Sequence, residues 1–200
     1  MSQPFDRKCN VPAAGALDKE SGQFWVGNAW EIIDHDHNLS AYERKAAYLN
    51  VGSKPGEARF VNFSFLSGAD GDGDGRTAVA ADLDGDGMQD LVMRQAGGGP
   101  LVVYRNDLPK RHWLRVRLKG TVSNGQGIGA KLTVEIGGRK LFRELYPQNT
   151  YVSQQPTEGH FGLGDATKVD RLVIRWPSGR TQEIRDLTVD RLLTVTESRE

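Results

Sequence analysis

Apolar and polar positions alternate with period two through most of the second half of the chain. Leu114, Val116 and Leu118 interleave with Arg115, Arg117 and Lys119, the pattern of a strand with one buried and one solvated face. Lys131 to Ile136 and Arg139 to Tyr146 are further β-prone runs on either side of Gly137-Gly138, a pair whose turn chemistry predicts a tight hairpin. Arg171 to Trp176 and Arg180 to Ile184 flank Pro177-Ser178-Gly179 in the same way, and Leu192 to Thr196 supplies a last strand. Strands of this kind bury their inner faces most simply as a sandwich.

The first half is less regular. Residues 1 to 23 carry Pro12, Gly15 and Gly22 among charges without periodicity and read as an irregular arm; Phe24 to Ile33 is apolar and aromatic. Ser40-Ala41-Tyr42-Glu43 has the spacing of a helix capping box, with Ala46, Ala47 and Leu49 behind it. Yet Tyr48 to Gly52 ends in turn residues and leads into Phe60 to Phe65, whose alternation is strand-like, so Arg44 to Asn50 is open to either assignment. Thr77 to Ala81, Leu91 to Arg94 and Leu101 to Arg105 are three more short strands, and Asn106 to Arg111 reads as a linker.

Between the strands at Thr77 and Leu91 lies the most specific chemistry of the chain. Asp82, Asp84, Asp86 and Asp90 fall at positions 1, 3, 5 and 9 of one loop. Converged carboxylates repel one another, so a cation among them is favoured, and an all-oxygen set at this spacing points to calcium. Gly87 allows the sharp bend at position 6, and Met88 would offer its carbonyl at position 7. Position 12 is Met93, where an EF-hand needs a bidentate Glu, and the flanks are strands, so the loop reads as a hairpin calcium site. Asp70, Asp72 and Asp74 repeat the first three positions, but Ala78 stands at the ninth. That repeat is a weaker second metal candidate or an acidic turn.

Composition adds less. Lys plus Arg equals Asp plus Glu at 26 each, but residues 1–100 hold 9 basic and 15 acidic residues against 17 and 11 in 101–200. Two modules of different character would give this split, as would strands with solvated arginine faces. Cys9 is alone, which excludes a disulfide framework and a cysteine zinc site. No apolar run reaches the roughly 20 residues of a membrane span, and the first ten residues lack the apolar centre of a signal peptide. On this reading the chain is either cytoplasmic as written or a fragment whose export signal lies elsewhere.

Other chemistries are weaker. His35 and His37 share a strand face without an identifiable third ligand and read as exposed loop residues. Gly97-Gly98-Gly99-Pro100 lacks the Lys and Ser/Thr of a phosphate loop. A carbohydrate hydrolase would use paired carboxylates with Trp25, Trp30 or Trp113 as sugar platforms, but no acid and nucleophile can be singled out. A basic face of Arg115, Arg117, Arg171 and Arg175 would suit an acidic glycan or another polyanion; nucleic acid is disfavoured because no aromatics interleave with these positions.

Several stretches coincide with known families. The Asp82–Asp90 loop between short strands resembles the FG-GAP/VCBS type of repeat that forms β-propeller blades. Asn124 to Ala130, Tyr151-Val152-Ser153-Gln154, His160-Phe161-Gly162-Leu163-Gly164 and Trp176-Pro177-Ser178-Gly179 resemble, in order, the marks of the ASPIC/UnbV domain. The resemblance favours a strand at Arg44 to Asn50, and implies calcium on the Asp82 loop, a secreted or cell-surface setting and no established catalytic residue. The chain has room for about one blade where such proteins carry several, and one blade cannot close a propeller. The resulting expectation is an all-β chain with three parts. Residues 1–40 form an arm or the remnant of a preceding blade, 41–110 a propeller-blade-like antiparallel sheet with the calcium loop, and 111–200 a β-sandwich on which the blade packs. The expected role is a non-enzymatic recognition or adhesion module with a protein or glycan ligand, present as a monomer or weak homodimer.

Overall fold

The structure, a computed structural model, describes residues 44–52, 57–71, 75–95, 101–150 and 153–199. The expectations for residues 1–40, Trp25, Trp30, His35, His37, the 40–43 capping box, Asp72, Asp74, the 97–100 turn and Tyr151-Val152 lie outside these residues. The fold is nearly all β, as the alternation predicts. Fourteen strands are described: β1 Tyr48–Asn50, β2 Phe60–Asn62, β3 Gly75–Ala81, β4 Asp90–Gln95, β5 Val102–Tyr104, β6 His112–Lys119 and β7 Lys131–Ile136, then β8 Arg139–Glu144, β9 Gln148–Thr150, β10 Ser153–Gln154, β11 Glu158–Gly164, β12 Lys168–Arg175, β13 Thr181–Thr188 and β14 Arg191–Thr196. One helical turn, α1 Ser64–Ser67, accompanies them.

The chain divides into two compact units. One comprises the residues up to Ala78 together with Val92–Tyr104. In it β1 and β2 pair antiparallel, with Leu49 opposite Val61. The strand expected over Phe60 to Phe65 stops at Asn62, because the Asn62 Oδ1 accepts the Ser64 N–H and turns the chain into α1. Ser64 is buried, and its hydroxyl lies 2.9 Å from the Ala47 N–H it accepts. Residues 44–47 are neither helix nor strand, so only the end of the expected Arg44–Asn50 element forms β structure.

The other unit comprises Val79–Leu91 and Arg105–Glu200, so the acidic loop belongs with the second half of the chain. Two sheets enclose its core: β11-β6-β14, in which β14 runs parallel to β6, and β13-β12-β7-β8, which is antiparallel throughout. Leu114, Val116 and Leu118 of β6 meet Leu132, Val134 and Ile136 of β7, Phe161 and Leu163 of β11, and Val169, Leu172 and Ile174 of β12, all buried. At roughly 1.5–3 kcal/mol for each fully buried side chain, this layer dominates the unit's stability. The Gly137-Gly138 turn joins β7 to β8 with both glycines at positive φ, 50° and 78°, the backbone a two-residue hairpin loop needs. Around Pro177 to Gly179 the β12–β13 turn is closed by the Trp176 N–H on the Arg180 carbonyl, 2.8 Å.

Because β6 and β11 bury alternate residues, the others are placed on the opposite face in a fixed register. Trp113 lies across from Gly162, Arg115 from His160, and Arg117 from Glu158. The acidic loop meets this outer row.

Candidate metal centre

The loop is built from its own carboxylates. Asp82 accepts the Gly85 N–H at 2.8 Å on one oxygen and the Gly87 N–H at 3.0 Å on the other. Asp84 accepts from Asp86 at 3.2 Å, and Asp86 from Met88 at 2.9 Å. Alternate aspartates thus each cap the backbone ahead of them, which is why short acidic side chains at every second position bend the chain into a tight loop. One ligand oxygen from each of Asp82, Asp84 and Asp86 lies within 4.8 Å of the others. The Met88 N–H on the Asp86 carboxylate leads in holding that group below the ordinary carboxylate range, with Lys110 assisting at 3.2 Å.

Asp90 stands apart from these three. It is buried, with one oxygen accepting the Leu83 N–H at 3.0 Å and the other the Asn106 N–H at 2.8 Å. It therefore ties the loop's entry to its exit strand and to the following segment. Asn106 adds a bond from its side-chain amide to the Gln89 carbonyl, 3.1 Å. Asp70 of the weaker candidate is paired with the Arg44 guanidinium at 2.6 Å.

Three residues of the outer row hold the loop. Arg115 lies 3.1 Å from Asp82 and 3.5 Å from Glu158, and the Asp82 side chain is fully buried beneath it. The same guanidinium sits over the Trp113 ring, 5.3 Å from its centroid. His160 stacks on Trp113 with a 7° interplanar angle, and its Nε2 is 2.9 Å from the Gly87 carbonyl. A carbonyl only accepts, so Nε2 carries the proton and donates. Burial leads in lowering the His160 pKa, in keeping with a neutral ring. Gly87 itself has φ +88°, and a Cβ there would fall 1.8 Å from the Trp113 Nε1.

These contacts correct the sequence reading of a free basic face. Arg115 is spent on Asp82 and Glu158, Arg117 on Glu158 at 3.1 Å, and Arg171 on Glu135 at 2.8 Å and Glu183 at 3.2 Å. Arg175 is exposed. The sequence also gave no sign that Arg115, His160 and Asn106 serve the loop, since each lies in a separate stretch; His160 carried only the mark of a family motif. Chemically, the site offers an oxygen-only donor set, preshaped by backbone hydrogen bonds and partly neutralised by Arg115 and Lys110. Such a set fits a hard divalent cation and offers no soft ligand for a transition metal.

A β-unit with this loop seated on it has relatives. Residues 120–200 match the family model described as ASPIC and UnbV. The chain is also similar to cartilage acidic protein 1 of Xenopus tropicalis, with 28% identity over 187 residues, 82% of this chain and 27% of that protein. Its Mus musculus and Homo sapiens counterparts are each 31% identical over 172 residues, 74% of this chain and 25% and 24% of theirs. The chain thus spans about a quarter of the length of these curated relatives.

Proposed function

We propose that the chain is a non-enzymatic, extracellular recognition or adhesion module in which the Asp82–Asp90 loop is an FG-GAP-like calcium site with a structural role. The observation that carries the reading is the convergence of Asp82, Asp84 and Asp86 within 4.8 Å on a loop anchored to a folded sheet. Met88 supplies a carbonyl, and Asp90 serves by fixing the loop's root through its two backbone bonds. The ion screens carboxylate repulsion, and its binding to the folded state alone adds about 2.7 kcal/mol of stability at 100 times the dissociation constant. The similarity to cartilage acidic protein 1, named for a tissue matrix, supports the extracellular setting. Among the described residues no helix is long and apolar enough to cross a membrane.

Thermal melts with calcium and with chelator test this. The parent is expected to melt several degrees higher in calcium, and Asp84→Asn with Asp86→Asn to lose that increment. A parent indifferent to chelation would overturn the calcium site.

A further inference from the structure

In the first unit, the β1–β2 register sets Tyr48 opposite Asn62 and Asn50 opposite Phe60. Residues two apart in a strand share a face, so these four side chains stand together on one side of the pair. Tyr48 and Phe60 are exposed, at 60% and 61%, and Asn62 is exposed beside both. Directly opposite Cβ atoms lie about 4.5–5.5 Å apart in an antiparallel pair, so a group attached to Asn62 reaches either ring. One exposed ring needs no explanation, but two flanking a single exposed amide make a surface suited to a ligand on that amide.

Asn62 also opens the triplet Asn62-Phe63-Ser64, the Asn-X-Ser/Thr acceptor of N-linked sugar with X other than proline. Its amide is half committed. The Oδ1 accepts the Ser64 N–H at 3.0 Å, while Nδ2, the atom that would carry sugar, has no partner among the described residues. Asn50 shares the face but not the chemistry: its Oδ1 accepts from Gly52 at 3.0 Å and Arg59 at 3.3 Å, and Gly52 stands where the triplet needs a hydroxyl. The Ser64 hydroxyl is buried against Ala47, accepting its N–H at 2.9 Å and donating to its carbonyl at 3.3 Å. A transferase that reads this hydroxyl must therefore act before Ser64 docks on Ala47. Asn38-Leu39-Ser40 is a second such triplet, outside the described residues.

From the free Nδ2 between two exposed rings we infer that Asn62 is an N-glycosylation site whose first sugar lies over Phe60 and Tyr48. The donor is a polyprenyl-diphosphate-linked oligosaccharide. Nδ2 forms a bond to the anomeric carbon as the bond from that carbon to the diphosphate oxygen breaks. The diphosphate leaves with the bonding electron pair, and the amide gives up one proton. The C–H face of the attached ring then covers the aromatic faces, which removes apolar surface from water. The inference rests on the extracellular reading and is independent of calcium.

The test is to send the full chain through the secretory route of an animal cell line behind an added signal peptide. Secreted protein is treated with an amidase that frees N-linked sugar, and peptides are mapped by mass for the conversion of Asn to Asp. Conversion at Asn62 is expected in the parent and is lost in Ser64→Ala and Asn62→Gln. Phe60→Ala should keep the sugar but let the amidase free it severalfold faster from the folded chain. An unconverted Asn62 in the secreted parent, or sugar on Asn38 alone, would overturn the site whether or not the variants fold. Release from Phe60→Ala at the parent's rate would overturn the stacking. The added leader imposes the route, so these results read Asn62 itself. The extracellular reading is decided separately, by whether the protein is recovered outside the cells that make it.

Discussion

Glu197 shows how much a single side chain can organise in this fold. It is buried just after β14, where its carboxylate accepts the backbone N–H groups of Thr121, Val122 and Ser123 at 2.7–2.9 Å and the hydroxyls of Ser123 and Ser178 at 2.8 and 2.6 Å. Burial alone would raise its pKa, but the donors from Ser178, Ser123, Val122 and Thr121 outweigh it and hold the group well below the ordinary carboxylate range. The folded value is depressed, so the stabilisation is fully present above the unfolded value of about 4.3 and is lost as pH falls below it toward the folded value. Glu197→Gln leaves donors facing an amide that accepts on one side only. It should lower the melting temperature by several degrees between pH 5 and 8, and the gap to the parent should close progressively below pH 4. A gap of constant size down to pH 2.5 would contradict this.

At the scale of elements, what was legible in the sequence is what depends on local period. Alternation over Leu114 to Lys119 gives β6 and its buried face, and Gly137-Gly138 and Pro177 to Gly179 give the β7–β8 and β12–β13 turns, because each is decided by residues that are near neighbours. The parallel pairing of β14 with β6 was not legible, since Leu193 meets Val116 only after the whole sandwich has closed. Phe60 to Phe65 misled for a related reason: the alternation is real, but a side-chain bond from Asn62 to the chain ahead competes with the strand and wins. The acidic loop was legible as a hairpin and as a candidate cation site. Its clamp was not, because the His160 bond to Gly87 spans 73 positions. Two glycines of the loop separate the clamp from backbone strain. Gly85 and Gly87 both have positive φ, 80° and 88°, but a Cβ at Gly85 meets nothing within 4 Å, whereas at Gly87 it strikes the Trp113 ring. Gly85→Ala should therefore cost about 1–2 kcal/mol, the penalty of the left-handed backbone alone. Gly87→Ala should cost clearly more, read as a larger fall in the urea midpoint. Equal falls would mean that Trp113 does not clamp the loop.

Across the whole molecule, the opposite charges of the two halves of the sequence resolve into pairs rather than patches within the unit that holds the loop. Asp82 and Asp86 come from the acidic half, and their partners Arg115 and Lys110 from the basic half. The same contacts mean that the loop and the β11-β6-β14 sheet respond to an ion as one body, since Asp82 cannot shift without Arg115, nor Gly87 without His160 and Trp113. Hydrogen exchange with and without calcium distinguishes this from a loop that orders by itself. On the calcium reading, protection should rise at the Gly85, Gly87 and Met88 amides and also along Trp113 to Arg117 and Glu158 to Gly162. The β12–β13 hairpin, on the opposite sheet, should change little. A change confined to residues 82–90 would show that the sheet carries the loop without being coupled to it. The structural role would then stop at the hairpin rather than reach the sheet that Arg115, His160 and Trp113 tie to it.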